Sequence, residues 1–192
     1  MSKKILKADF VFGYVIRYVN LLYWNKRIAA MKKGKKMERY KVILVDDEAE
    51  VIDMIEKKIH WNDLGFEVAG SATNGVKALE LVEKLQPDVV LTDIKMPYMD
   101  GLELSRRLNR EYPNIYIMLC TGFDEFEYAK EAVHLEIKEY MLKPVNATEL
   151  SESLTNLKHT LDREREEKLN VKKLNDYFQE VLPKLQSNFL FH

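Results

Sequence analysis

Apolar residues gather in five short runs rich in β-branched side chains, at 42–45, 66–69, 88–92, 115–119 and 137–142. Runs of that length, bounded by polar residues, predict buried strands. The stretches between them carry helical spacing instead. "EVIDMIEKKI" sets Val51, Ile52, Ile55 and Ile59 on one face. "NGVKALELVEKL" offers Asn74 as a cap and turns Val76, Leu79, Val82 and Leu85 inward. "DGLELSRRL" and "DEFEYAKEAV" supply two further helices. Strand and helix thus alternate five times after Met37, the pattern of an α/β fold with a doubly wound, five-stranded parallel sheet.

The chain from Asn146 onward has no strand signal. Asn146 or Thr148 can cap an extended C-terminal helix in which Leu150, Leu154, Leu157 and Leu161 recur on one face. The same phase continues through Glu164 and Lys168 to Val171, Asn175, Phe178, Leu182 and Leu185. The charged middle, "DREREEKLN", predicts an exposed helix, and the apolar return predicts a partner surface. That surface suits a dimeric coiled coil or an arm docked on a further domain. Pro183 is expected to end or kink the helix. Three segments follow: an N-terminal extension over 1–36, a domain over 37–158, and a helical linker or dimerisation segment over 159–192, with no room for an output domain after residue 162.

Charge sharpens the division. Residues 1–36 hold ten Lys or Arg and one acid, so the remaining chain is acidic although the net charge is only −1. An acidic body lacks the basic face that phosphate backbones require, which argues against nucleic-acid binding by that body. Within 1–36, "FVFGYVIRYVNLLYW" is apolar but short for a membrane span, and Arg17 and Asn20 interrupt it. Residues 1–36 are either sequence upstream of a start at Met37 or a membrane-surface anchor. The lone cysteine, Cys120, precludes an internal disulfide and reads as a small buried hydrophobe.

The candidate chemistry lies at strand ends. In doubly wound sheets ligands bind beyond the carboxyl ends of the strands, where strand order reverses. Asp46 and Asp47 follow the first strand, Asp93 ends the third, Thr121 the fourth, and Lys143 follows the fifth. Crowded carboxylates repel one another and resist desolvation unless something positive sits among them. A hard cation such as Mg²⁺, or Mn²⁺, together with Lys143 would meet that need. Asp93 is the candidate nucleophile, since it ends its strand facing the same pocket. An electron carrier of the same topology would need hydroxyl or glycine donors where "DDEAE" stands. A phosphatase of the haloacid type would need an acid at Lys95. The four histidines share no spacing and are read as neither catalytic nor metal-binding.

"VILVDDE", "PDVVLTDIKMPYMDG", "CTG" and "EYMLKPV" together resemble the receiver domain of bacterial two-component response regulators over about residues 40–157. "LGFEVAGSATNG" and "GFDEFEYAKEAV" are most similar to receivers whose output is an AraC-type DNA-binding domain. The resemblance implies a flavodoxin-like receiver fold and a cytoplasmic, phosphorylation-activated regulator of transcription. It implies that Asp93 accepts a phosphoryl group from a partner sensor histidine kinase. Asp47, Asp93 and the Lys95 carbonyl would hold the cation, with Asp46 acting mainly through its bound water. Thr121 would bind a phosphoryl oxygen, Lys143 would form an ion pair there, and Tyr140 would follow Thr121 as the aromatic switch. Lys143-Pro144 would be cis, so that Pro144 aims the lysine. The partners implied are the kinase, a second copy on activation, and DNA only through an output domain that this chain does not supply. No turnover of an external substrate is implied; the domain assists its own phosphorylation and dephosphorylation. A phosphorylation-independent interaction module is the alternative. Two departures stand out: "HLEI", His134 to Ile137, replaces the usual glycine-bearing turn, and bulky Phe123 predicts slow self-dephosphorylation.

Overall fold

The computed structural model describes residues 39–122, 135, 137 and 139–189. The extension over 1–36, the expected helix "DEFEYAKEAV", Phe123, His134 and His192 lie outside the described residues. In chain order the elements are β1 (Tyr40–Val45), α1 (Ala49–Lys58), α2 (Trp61–Leu64), β2 (Phe66–Ala72), α3 (Gly75–Leu85), β3 (Val89–Asp93), α4 (Gly101–Glu111), β4 (Tyr116–Thr121), β5 (Glu139–Leu142) and α5 (Ala147–Phe189). The five strands form one parallel sheet in the order β2-β1-β3-β4-β5. The chain therefore winds outward to β2, returns across β1, and continues the other way from β3. That reversal between β1 and β3 is the switch point where such folds place ligands.

The central strands β1, β3 and β4 are buried on both faces because helices cover both. Val42, Leu44, Val89, Leu91, Met118 and Cys120 face α1 and α5, against Ile52, Ile55, Leu150, Leu154 and Leu161. Ile43, Val45, Val90, Ile117 and Leu119 face α3 and α4, against Ala78, Val82, Leu104 and Leu108. Cys120 is one of these buried hydrophobes, and burial pushes its thiol up to about 12, which leaves it unreactive near neutrality.

Three expectations need correction. Val76 does not face the core; it is 44% exposed, because the cap at Asn74 phases α3 so that Ala78 and Val82 meet the sheet. Pro183 does not end α5, which runs on to Phe189. The charged stretch after Leu161 is not simply solvated, since Asp162 and Glu164 hydrogen-bond the sheet's tyrosines. Among the described residues no helix is long and apolar enough to cross a membrane.

Candidate functional site

β1 and β3 lie side by side, so the residues at their carboxyl ends are neighbours. Asp46 and Asp93 occupy those ends and are buried, while Asp47 beside them is exposed. One oxygen of Asp46 accepts the Glu48 backbone N–H at 2.9 Å, which turns the chain from β1 into α1. Its other oxygen meets the Lys143 ammonium at 2.9 Å, and the same ammonium lies 3.0 Å from Asp93 Oδ1. A single cation thus bridges the two buried carboxylates.

Lys143 reaches the pocket because β5 delivers it there. Its backbone N–H donates to the Thr121 carbonyl at 2.6 Å, and the peptide to Pro144 is cis. Thr121, at the end of β4, is 1% exposed and directs its hydroxyl to the Gly122 carbonyl at 3.3 Å. Tyr140 sits half-buried on β5 against the α3–α4 side of the core. Lys95, two residues beyond Asp93, is exposed on the loop into α4.

That loop is tied down at several points. Gly101 donates to the Ile94 carbonyl at 2.8 Å, and Gly75 donates to the Met99 carbonyl at 3.2 Å. A Cβ at Gly101 would stand 2.1 Å from the Asp93 carbonyl oxygen, so only glycine lets the start of α4 press against the Asp93 backbone. The Asp100 carboxylate caps α4 by accepting the Glu103 N–H at 2.7 Å. Gly101 and Asp100 were legible as "DG" ahead of an amphipathic run, a turn-and-cap signal, but not as supports of Asp93.

The electrostatics are unbalanced. Burial pushes the Asp93 carboxyl above the ordinary carboxylate value; Lys143 pulls it back down and Asp46 adds to the rise. Burial alone would lower the Lys143 ammonium, but its bonds to Asp46 and Asp93 outweigh that and hold it above the usual lysine value. Oxygens of Asp46, Asp47 and Asp93 all lie within 4.8 Å of one another. Three carboxylates offset by one ammonium leave a net negative, oxygen-rich cluster, a donor set that fits a hard divalent cation.

Residues 42–155 match the response regulator receiver domain. The chain belongs to that family. An uncharacterized transcriptional regulatory protein, YesN, of Bacillus subtilis is 42% identical over 125 residues, which are 65% of this chain and 34% of that protein. The transcriptional regulatory protein HptR of Staphylococcus aureus is 32% identical over 144 residues, 74% of this chain and 56% of its own. The chain therefore spans only part of the length of these curated relatives. Among solved structures, the REC domain of AraT, a response regulator from Geobacillus stearothermophilus, superimposes with a TM-score of 0.63. It is 39% identical and covers 66% of this chain and 98% of that one. A two-component transcriptional regulator AraC from Clostridium phytofermentans gives 0.61 at 30% identity, with the same coverage. This receiver is similar to those of AraC-type regulators and has a five-stranded sheet and a long final helix.

Proposed function

We propose that the receiver accepts a phosphoryl group on Asp93 from a phosphohistidine of a partner sensor kinase. The Asp93 oxygen forms a P–O bond as the P–N bond of the phosphohistidine breaks, and the released imidazole takes up a proton from solvent. The observation that carries this reading is the Lys143 ammonium, held between Asp46 at 2.9 Å and Asp93 at 3.0 Å. It positions the acceptor and supplies a donor where the phosphoryl oxygens would arrive. Thr121, at the end of the neighbouring strand, offers a hydroxyl to one of those oxygens.

Asp46, Asp47 and Asp93, with the Lys95 carbonyl, would hold Mg²⁺ or Mn²⁺, Asp46 largely through water. Bound there, the cation would neutralise phosphoryl charge and the repulsion among the three acids. Tyr140, next to the Thr121 strand, would turn inward once Thr121 engages the phosphoryl group. The signal would then pass through the face distal to the pocket and along α5 to a DNA-binding output, in keeping with relatives named as transcriptional regulators. Residues 37–158 would act as the receiver and 159–192 as linker and dimerisation segment, giving a homodimer on activation in the cytoplasm. Membrane contact by residues 1–36 is the less favoured reading of that segment.

The test is intact-protein mass after incubation with acetyl phosphate and Mg²⁺, with Asp93→Ala in parallel. One added phosphoryl group, dependent on the cation and absent from the variant, is the expected result. No gain under rapid quench, with cation binding confirmed separately, would favour a phosphorylation-independent interaction module.

A further inference from the structure

Among the described side chains of α5, Leu161 is the last one buried against the sheet, yet the helix does not leave the domain there. The next turns carry no apolar residue until Leu169, and they are held by polar contacts along the amino edge of the sheet. Tyr40, the first residue of β1, donates its hydroxyl to Asp162 Oδ1 at 2.8 Å. Lys158 binds the other Asp162 oxygen at 2.6 Å, and the Arg165 guanidinium lies 4.6 Å from the centre of the Tyr40 ring. Tyr116, the first residue of β4, donates to Glu164 Oε1 at 2.7 Å, and Lys168 donates to Asn114 at 2.9 Å.

We propose that Tyr40 and Tyr116 form a two-sided latch that sets the direction in which α5 departs from the receiver. Asp162 and Glu164 are two residues apart, so they project from different sides of the helix. β1 and β4 are separated by β3, which sets the two strands about 10 Å apart at the usual strand spacing. The helix is therefore gripped from both flanks, with Leu161 seated on the core below. A single contact would let it roll or swing; two opposed ones oppose both motions.

The grip is stiff at its base. Tyr40 is 3% exposed and its ring packs on Phe66 at 5.7 Å, so the core fixes the phenol, which meets the helix through its hydroxyl at Asp162 and its ring face at Arg165. Each bond joins a hydroxyl to a carboxylate, a charge-assisted pair stronger than a neutral one. The strands that carry the latch also carry the candidate site at their other ends, β1 leading into Asp46 and β4 ending at Thr121. Any displacement of β4 relative to β1 would change the separation of the two tyrosines and hence the grip. The latch itself does not require phosphoryl transfer at Asp93.

Residue-resolved amide hydrogen exchange on the full chain tests it. Two double variants attack the latch from opposite sides: Tyr40→Phe with Tyr116→Phe, and Asp162→Ala with Glu164→Ala. Exchange over residues 162–176 should accelerate about tenfold in both, while α5 before Leu157 and the strands keep their protection. Acceleration in the alanine variant would be especially telling, because alanine by itself favours the helix. Unchanged exchange over 162–176 in either variant would overturn the proposal. So would equal acceleration across β1 and β3, which would mark the tyrosines as ordinary core residues.

Discussion

The two edges of the sheet solve the same problem in opposite ways. At the amino edge, Tyr40 and Tyr116 bring hydroxyls to carboxylates, and Asp162 is further matched by Lys158. At the carboxyl edge, three carboxylates share one ammonium, and burial pushes Asp93 upward. At one edge each carboxylate meets a hydroxyl, and at the other three carboxylates outnumber the single ammonium among them. A domain can hold an under-compensated pocket when the rest of its framework is satisfied, and perturbed titration is a mark of such functional sites.

The largest way to break the contrast is to remove the Asp93 carboxylate. Asp93→Ala should abolish phosphoryl incorporation from acetyl phosphate entirely, whereas the Tyr40→Phe and Tyr116→Phe double variant should be labelled like the parent. Adding a divalent cation comes next. Mg²⁺ at about 100 times its dissociation constant should stabilise the chain by about 2.7 kcal/mol in thermal unfolding. Chelation should reverse the gain, Asp46→Ala should lose it, and the tyrosine variants should keep it. A smaller effect should come from relieving the repulsion without a ligand. Asp93→Asn in cation-free buffer at pH 7 should raise Tm by roughly 2–5 °C, since ionised Asp93 is disfavoured in the folded pocket.

At the amino edge, each tyrosine hydroxyl should contribute about 1 kcal/mol, read from urea unfolding of the single Phe variants. The smallest effect is alkaline. Burial, and then the Glu164 carboxylate, push the Tyr116 phenol up to about 12 from an ordinary value of 10.0. A group whose pKa is raised on folding stabilises fully below its unfolded value and loses that stabilisation as pH rises through the folded one. Stability should therefore decline between about pH 10 and 12, and Tyr116→Phe should flatten the decline.

The carboxyl edge was legible in the sequence because function there uses residue types that physics otherwise disfavours. Acids at the ends of apolar runs are conspicuous, and the alternation of strands and helices states where those ends meet. The amino edge was not legible. Tyr116 lies inside an apolar run and Tyr40 just ahead of another, with nothing to mark either as a helix contact, and "DREREEK" has no apolar periodicity to betray one. A hydrogen bond between two polar tips leaves no repeat in the sequence, so that stretch reads as a solvated rod. Val76 failed for a related reason: its hydrophobicity suggested burial, but the cap at Asn74 fixes the helical phase and turns it outward.

The final helix runs for 43 residues, from Ala147 to Phe189. At about 1.5 Å per residue, the part beyond Leu161 extends about 40 Å, so a tilt of about 10° at its root would sweep the far end through about 7 Å. Such a boom converts angular error into linear error. A sub-ångström adjustment between two strands, too small to matter within the core, would become at the tip a displacement comparable to the width of a side chain.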